Sequence, residues 1–290
     1  MQSGMVRLLM LFLLACISYS CAKPVSVKPS ADIARASRLD KINAYKFLRN
    51  QEMRFVDERQ TRSINYTSLI LNPSKVTFGL YHGWNREFQA NNDNTSIAFI
   101  SGPTFELLPR TDLGYTAHGD LKLSNGTWLS KNLAASVSRA HLCITPAGLP
   151  SFGFGALTQG RAKVCRIFIG GLHSLFNNST SIPLTYKGVY GKMYMSDVRI
   201  IYGLRKDDLI EIIETHDGVS FADLNTFVRR KGFLAAYLPD HASKSRLIVP
   251  GVRLWSLQHA IWISGGRPSI TQMPLMLRVS KLPAIDPDAK

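Results

Sequence analysis

Two dipeptides set an imidazole beside a carboxylate, His216-Asp217 and Asp240-His241, and both fall where an apolar run gives way to a turn. Neighbouring side chains on an extended segment project to opposite faces, so neither dipeptide is itself a proton-relay pair. The other histidines stand singly, without the spacing of a metal site, and no metal ligand set is assigned. A Gly-x-Ser-x-Gly elbow, a His-Glu-x-x-His helix, a P-loop and a dinucleotide fingerprint are all absent. Cys143 and Cys165 offer a disulfide in an oxidising compartment, or two buried thiols; no Cys-x-x-Cys spacing suggests redox chemistry or zinc.

The elements that would carry these groups are read from periodicity. Ile33, Ala36, Leu39, Ile42 and Tyr45 recur at helical spacing toward Phe47 and Leu48, with Ser30 as cap, which predicts an N-terminal helix. Strand-like runs follow at 68–71, 76–81 and 97–100, and 198–203 and 209–214 read as a hairpin. Ser220, with Asp223 three residues on, caps a helix whose stripe is Phe221, Leu224, Phe227 and Val228; Gly232 ends it and 233–238 returns to strand. Frequent glycines between 114 and 171 exclude a helical bundle. The expectation is an α+β (mixed α/β) fold, a single domain with a mixed twisted sheet and a few packing helices.

The start of the chain reads as an export signal. Arg7 is the only charge in residues 1–22, and the apolar run 8–17 is too short to span a bilayer. Cleavage after Ala22 would leave Lys23-Pro24 at the new terminus; lipidation at Cys16 or Cys21 is the rival reading. No later segment approaches a membrane span, so the mature chain is expected to carry no transmembrane segment, periplasmic or secreted, and at most lipid-anchored. The formal charge of +15 suits an anionic partner, and export argues against nucleic acid. Acceptor triplets for N-glycosylation occur at Asn65, Asn94, Asn125, Asn177 and Asn178, which would mark exposed loops in a eukaryotic secretory pathway.

The order of segments from Ile97 onward resembles the phosphodiester glycosidase family, which contains the uncovering-enzyme-like domain and exported bacterial homologues. Ile97-Ala98-Phe99-Ile100-Ser101-Gly102-Pro103-Thr104-Phe105 is similar to the family's strand and Asn-Gly-Gly loop. Leu113-Gly114-Tyr115, Ile144-Thr145-Pro146-Ala147-Gly148, Gly170-Gly171-Leu172 and Arg199-Ile200-Ile201-Tyr202-Gly203 resemble later elements in order. The family's Leu-Asp-Gly-Gly-Gly-Ser-Ser stands here as Leu238-Pro239-Asp240-His241-Ala242-Ser243-Lys244-Ser245, so the glycine run is lost and either Asp240 or Pro239 occupies the aspartate position.

The resemblance implies a glycosidase-like hydrolase acting on a sugar phosphodiester or related glycan linkage. A non-catalytic exported protein that binds an anionic glycan or a partner protein is the alternative. In the first case Arg199 grips a phosphate through its planar fork, unless it serves an ion pair with Asp197. Asp240 and His173 are the candidate catalytic groups; Ser101, Gly102, Gly170, Gly171, Ser243 and Ser245 are the candidate substrate contacts, and no cofactor is assigned. The strands ending at Ile100 and Tyr237 are expected to be neighbours in one sheet. Domain boundaries follow: 1–22 signal peptide, 23–62 linker and N-terminal helix, 63–282 the glycosidase-like domain, 283–290 flexible tail. N-terminal sequencing of the exported product is expected to begin at Lys23; a lipid-modified cysteine as first residue would contradict simple cleavage.

Overall fold

The computed structural model describes residues 32, 35, 39, 43–57, 60–83, 86–103, 105–107, 115–117, 119–124, 126, 139–171, 173–179, 181, 200–216, 219–239, 246–252, 261–264, 267–270 and 275–283. Only backbone is described for 57, 60, 105–107, 115–117, 173, 261–264 and 267–270.

The chain is mainly β, and every described strand pairing is antiparallel. Strands are numbered in chain order. The largest sheet has six strands, in the order β1 (Tyr45–Asp57), β2 (Gln60–Leu71), β13 (Ile210–Thr215), β12 (Ile200–Leu204), β14 (Ala235–Leu238) and β11 (His173–Asn177). A second sheet runs β15 (Leu247–Ile248), β4 (Ala98–Ser101), β18 (Leu275–Lys281), β3 (Val76–His82). The third runs β7 (Leu121–Lys122), β10 (Ile167–Gly170), β8 (Ala140–Ile144), β9 (Pro150–Phe154). Two ribbons, β5 (Phe105–Leu107) with β6 (Tyr115–Ala117) and β16 (Ile261–Ser264) with β17 (Arg267–Ile270), complete the described strands.

Alternation along the strands explains the layering, because residues two apart share a face. Leu69, Leu71, Ile200, Tyr202, Ile210, Ile212, Ala235 and Tyr237 point from the six-stranded sheet into one core shared with the two four-stranded sheets. Their neighbours Ile64, Tyr66, Ile201, Ile213, Ala236 and Leu238 point the other way and meet Leu224, Phe227 and Val228 of a helix. That helix, α3 (Phe221–Arg230), begins at Ser220, whose hydroxyl accepts from the Asp223 amide at 3.1 Å, and it is followed by Gly232 at φ +73°. Arg62 of β2 holds Asp223 at 2.8 Å and fixes the helix to the sheet. The two other described helices with assigned bounds, α1 (Glu87–Asn92) and α2 (Gln159–Val164), span fewer than two turns each. None is long and apolar enough to cross a membrane.

The expected α+β class is therefore corrected to a mainly β fold. Among the described residues, helices do not form a packing layer comparable to the sheets; turn-rich segments between short apolar runs close antiparallel ladders instead. The expected helix reaching Leu48 is also overruled. Residues 32, 35 and 39 are helical, but Tyr45, Phe47 and Leu48 lie in β1, where they pair with Leu71, Leu69 and Ser68. Without that pairing the full length of β2 would present an open hydrogen-bonding edge. The helical piece still docks: Leu39 is fully buried beside Leu149 and Leu209, and Arg35 forks onto Asp208 at 3.0 and 2.5 Å. The hairpin of β12 and β13 forms as anticipated, and β4 and β14 follow the anticipated runs. Ile100 and Tyr237, however, belong to different sheets, because β4 pairs with β15 and β18 rather than with β14.

Cys143 on β8 and Cys165 after α2 are joined in a disulfide with Cα atoms 5.4 Å apart. The bridge and Phe168 form a small core of their own, over which His141 stacks at 4.4 Å from the Phe168 ring. Burial, then the nearby Arg161 charge, lowers the His141 pKa to about 4, against a weaker raising contribution from the Gly155 backbone. An unfolded chain takes up this proton near pH 6.5, so between that pH and about 4 the unfolded state binds more protons and stability falls as pH falls. The loss over that window is on the order of 3 kcal/mol. Urea midpoints measured from pH 7.5 to 4.5 should show His141→Gln losing less stability on acidification than the wild type; parallel pH profiles would contradict the assignment.

Candidate functional site

One end of the six-stranded sheet carries the backbone of His173 and lies beside Ser101, Gly102, Gly170 and Gly171. The register there sets His173 of β11 opposite Leu238 of β14, and Tyr237 opposite Tyr202 of β12. Ile200, the first residue of β12, faces Glu214 of β13, which in turn faces Thr67 of β2. A single row across the sheet thus runs from the backbone of His173 past the end of β14 to Ile200, Glu214 and Thr67.

Two tyrosines bind this end to the other sheets. Tyr202 donates its hydroxyl to the Ser101 carbonyl of β4 at 2.6 Å, and Tyr237 donates to the Ile169 carbonyl of β10 at 2.9 Å. Their rings lie 5.4 Å apart, fully buried. Burial, reinforced by Tyr202, pushes the Tyr237 pKa well above its ordinary value, so the hydroxyl remains a proton donor.

Close packing at this junction decides which residues it accepts. A Cβ on Gly171 would stand 2.2 Å from Cε2 of Tyr237 and 3.0 Å from the Leu238 carbonyl oxygen. One on Gly170 would stand 2.8 Å from the Asp120 carbonyl oxygen, to which the Gly170 amide donates at 2.8 Å. One on Gly102 would meet Leu277 at 3.1 Å. Ser101 is fully buried; its hydroxyl accepts from the Arg246 amide at 2.6 Å, and its own amide donates to the Arg246 carbonyl at 3.0 Å. Ser101 thereby fastens the start of β15 beside the sheet end.

Next to the row lies a cavity of about 200 Å³. Thr67, Glu214 and His216 line it from the large sheet, Leu247, Ile248 and Val249 from β15 and its continuation, and Asn91 from α1. Asn50 reaches it from a bulge in β1, where the register with β2 shifts between Leu48 and Gln51 and Asn50 adopts φ +47°. An extra residue in one strand re-aims side chains, and here it turns Arg49 and Asn50 toward the cavity mouth. Glu214 is buried and accepts the Leu247 amide at 3.1 Å, while the Thr67 hydroxyl and His216 Nε2 lie 3.2 Å apart. A carboxylate, an imidazole, a hydroxyl and two carboxamides share one small space with an apolar wall.

The structure brings Ser101, Gly102, Gly170, Gly171 and the backbone of His173 to this end of the molecule. The side chain of His173 and all of Arg199, Asp240, Ser243 and Ser245 lie outside the described residues. Glu214 went unremarked as a cavity group in the sequence, although it carried a signal. It continues the inward series Ile210, Ile212 with a carboxylate, and a charge at an inward strand position asks for a partner. Asn50 gave no comparable signal, because a bulge depends on the partner strand's register.

The packing at Gly171 yields a direct expectation. Gly171→Ala should lower stability by about 1–3 kcal/mol through overpacking against Tyr237, whereas Gly79→Ala, whose Cβ meets nothing within 4 Å, should stay near neutral. Equal urea midpoints for the two variants would contradict the tight junction.

Solved structures share this architecture, among them the following two. Zebrafish N-acetylglucosamine-1-phosphodiester alpha-N-acetylglucosaminidase, as a catalytic domain auto-inhibited by its pro-peptide, aligns with a TM-score of 0.59 and 13% identity over 83% of this chain and 85% of that one. A hypothetical protein from Synechocystis aligns with a TM-score of 0.53 and 9% identity, over 79% of this chain and 61% of that one. No family model matches the sequence, and no curated protein matches it. The resemblance to phosphodiester glycosidases read from the sequence thus holds at the level of fold.

Proposed function

We propose that the chain is an exported glycosidase-like hydrolase acting on a sugar phosphodiester or related glycan linkage. The observation that carries this reading is the convergence of strand ends: β12 begins directly after Arg199, β14 ends just before Pro239-Asp240, and β11 begins at His173, all on one sheet end beside the Glu214 cavity. The fold shared with a domain whose name specifies an N-acetylglucosamine phosphodiester supports the same substrate class.

In this reading the Arg199 guanidinium pairs two N–H donors with two phosphate oxygens, a geometry that a lysine does not reproduce. Asp240 takes a proton from a water that attacks the anomeric carbon. The bond from that carbon to the bridging phosphate oxygen breaks, and the phosphate monoester leaves with the bonding electrons. Negative charge grows on the leaving phosphate, so Arg199 interacts more strongly in the transition state than in the bound substrate. Ser243 and Ser245 supply hydroxyls to the sugar or phosphate, and His173 exchanges protons near neutral pH.

A second reading, a binding protein without catalysis, is favoured by the loss of the glycine run after Leu238 and by the structural use of the Ser101 hydroxyl. Export is supported by the Cys143–Cys165 bridge, since such bonds persist in oxidising compartments, and by the signal-like residues 1–22.

The test is hydrolysis of N-acetylglucosamine-1-phosphodiester substrates by the purified chain, with Arg199→Lys and Asp240→Asn alongside. Wild-type turnover is expected, with Arg199→Lys costing about 1.5–3 kcal/mol in transition-state stabilisation at unchanged melting temperature. Absence of turnover with retained glycan binding would favour the second reading; an Arg199→Lys variant that loses stability but keeps full activity would remove Arg199 from the site.

A further inference from the structure

The cavity beside Glu214 does not end at the β1 bulge. A second cavity of about 510 Å³ adjoins it and shares four of its lining residues, Phe47, Asn91, Val249 and Val252, so the two form one groove. The groove runs from the sheet end, across Phe47, to the rim formed by α1 and the segment before β4. The Gly251 amide donates to the Asn91 carbonyl at 3.3 Å, which holds the segment after β15 against α1 as one wall.

Its chemistry contrasts with the rest of the surface. Among the described residues lining the two cavities, Arg49 is the only Lys or Arg and Glu214 the only carboxylate, in a chain whose formal charge is +15. Polar character comes instead from Asn50, Asn91, Asn92, Asn94, Thr67 and Ser96. Carboxamides and hydroxyls present donors and acceptors side by side, which matches vicinal sugar hydroxyls that both give and accept hydrogen bonds. Phe47, Val249 and Val252, which line both cavities, offer apolar surface to the C–H faces of a pyranose. A groove for an acidic glycan would display cations along its length, and a groove for a hydrophobic peptide would lack the carboxamides.

We infer that this groove binds a neutral oligosaccharide chain, several sugars long, that extends away from the reacting linkage. The inference rests on the proposed glycan-directed reading and adds that the part of the ligand beyond the reacting linkage is an extended, uncharged glycan. The sugar nearest the sheet end sits against Glu214, His216 and Thr67, and the following sugars lie over Phe47 toward Asn92 and Asn94.

Isothermal titration calorimetry of the full chain with neutral chito-, manno- and gluco-oligosaccharides of one, three and five sugars tests this directly. At least one series should bind at least tenfold more tightly at three or five sugars than at one. Val249→Trp, which fills the junction, should abolish the gain with length, and exposed Asn92→Ala should reduce it severalfold at an unchanged melting temperature. Affinity independent of length in all three series, or a length gain untouched by both substitutions, would overturn the inference. Its failure is separable from that of the hydrolase reading: turnover of a small phosphodiester without length-dependent binding removes the groove alone, and length-dependent binding without turnover removes only the hydrolase.

Discussion

The buried pair Tyr202 and Tyr237 is the constraint on which this architecture turns. Adjacent in register on β12 and β14, they present their rings to the same core and send their hydroxyls to carbonyls in two different sheets. A buried carbonyl without a donor costs about 1–3 kcal/mol, so each hydroxyl fixes where a second sheet must stand. The packing on either side obeys the same demand. Gly171 leaves room for the Tyr237 ring, and Gly203, beside Tyr202, leaves room on the opposite face for Phe233, whose Cε2 would lie 2.5 Å from an added Cβ. The candidate site forms at this junction because three sheets are pinned there.

Charge is handled differently at the two ends of the large sheet. Toward the β12–β13 turn, fully buried Glu211 is held by Lys231 at 2.6 Å and by Arg205 at 3.0 Å, and Arg205 also engages Asp207. The hydrogen bond to Asp207, with further help from Glu211, raises the Arg205 pKa against the cost of burial. These groups satisfy one another as a structural network. Toward the opposite end, Glu214 accepts a backbone amide and borders a cavity. The Arg35–Asp208 fork and buried Leu39 place these two residues of the N-terminal segment at the first end.

What the sequence disclosed depended on how local the responsible interaction is. The 200–215 hairpin, the cap at Ser220 and the stripe of α3 are encoded within a few residues, and each was readable. The fold class was not, because it rests on pairings such as Val76 with Lys281 and Ser101 with Met276, which no local pattern announces. The N-terminal segment misled for the same reason: helical spacing up to Tyr45 was overridden by the ladder that β1 makes with β2. At the site, Gly170 and Gly171 stand among the expected substrate contacts; what they accommodate in the described structure is Asp120, Tyr237 and Leu238. The groove was invisible, since its asparagines come from a bulge, a short helix and a turn far apart in sequence.

The claim that the tyrosine pair pins the three sheets is tested most directly by a double-mutant cycle on unfolding free energy with Tyr202→Phe and Tyr237→Phe. Each substitution keeps the ring and removes one inter-sheet hydrogen bond, so each should cost about 1–3 kcal/mol, and the double variant should depart from additivity by at least about 0.5 kcal/mol because the rings touch one junction. Two single costs below about 0.5 kcal/mol that simply add would contradict the account.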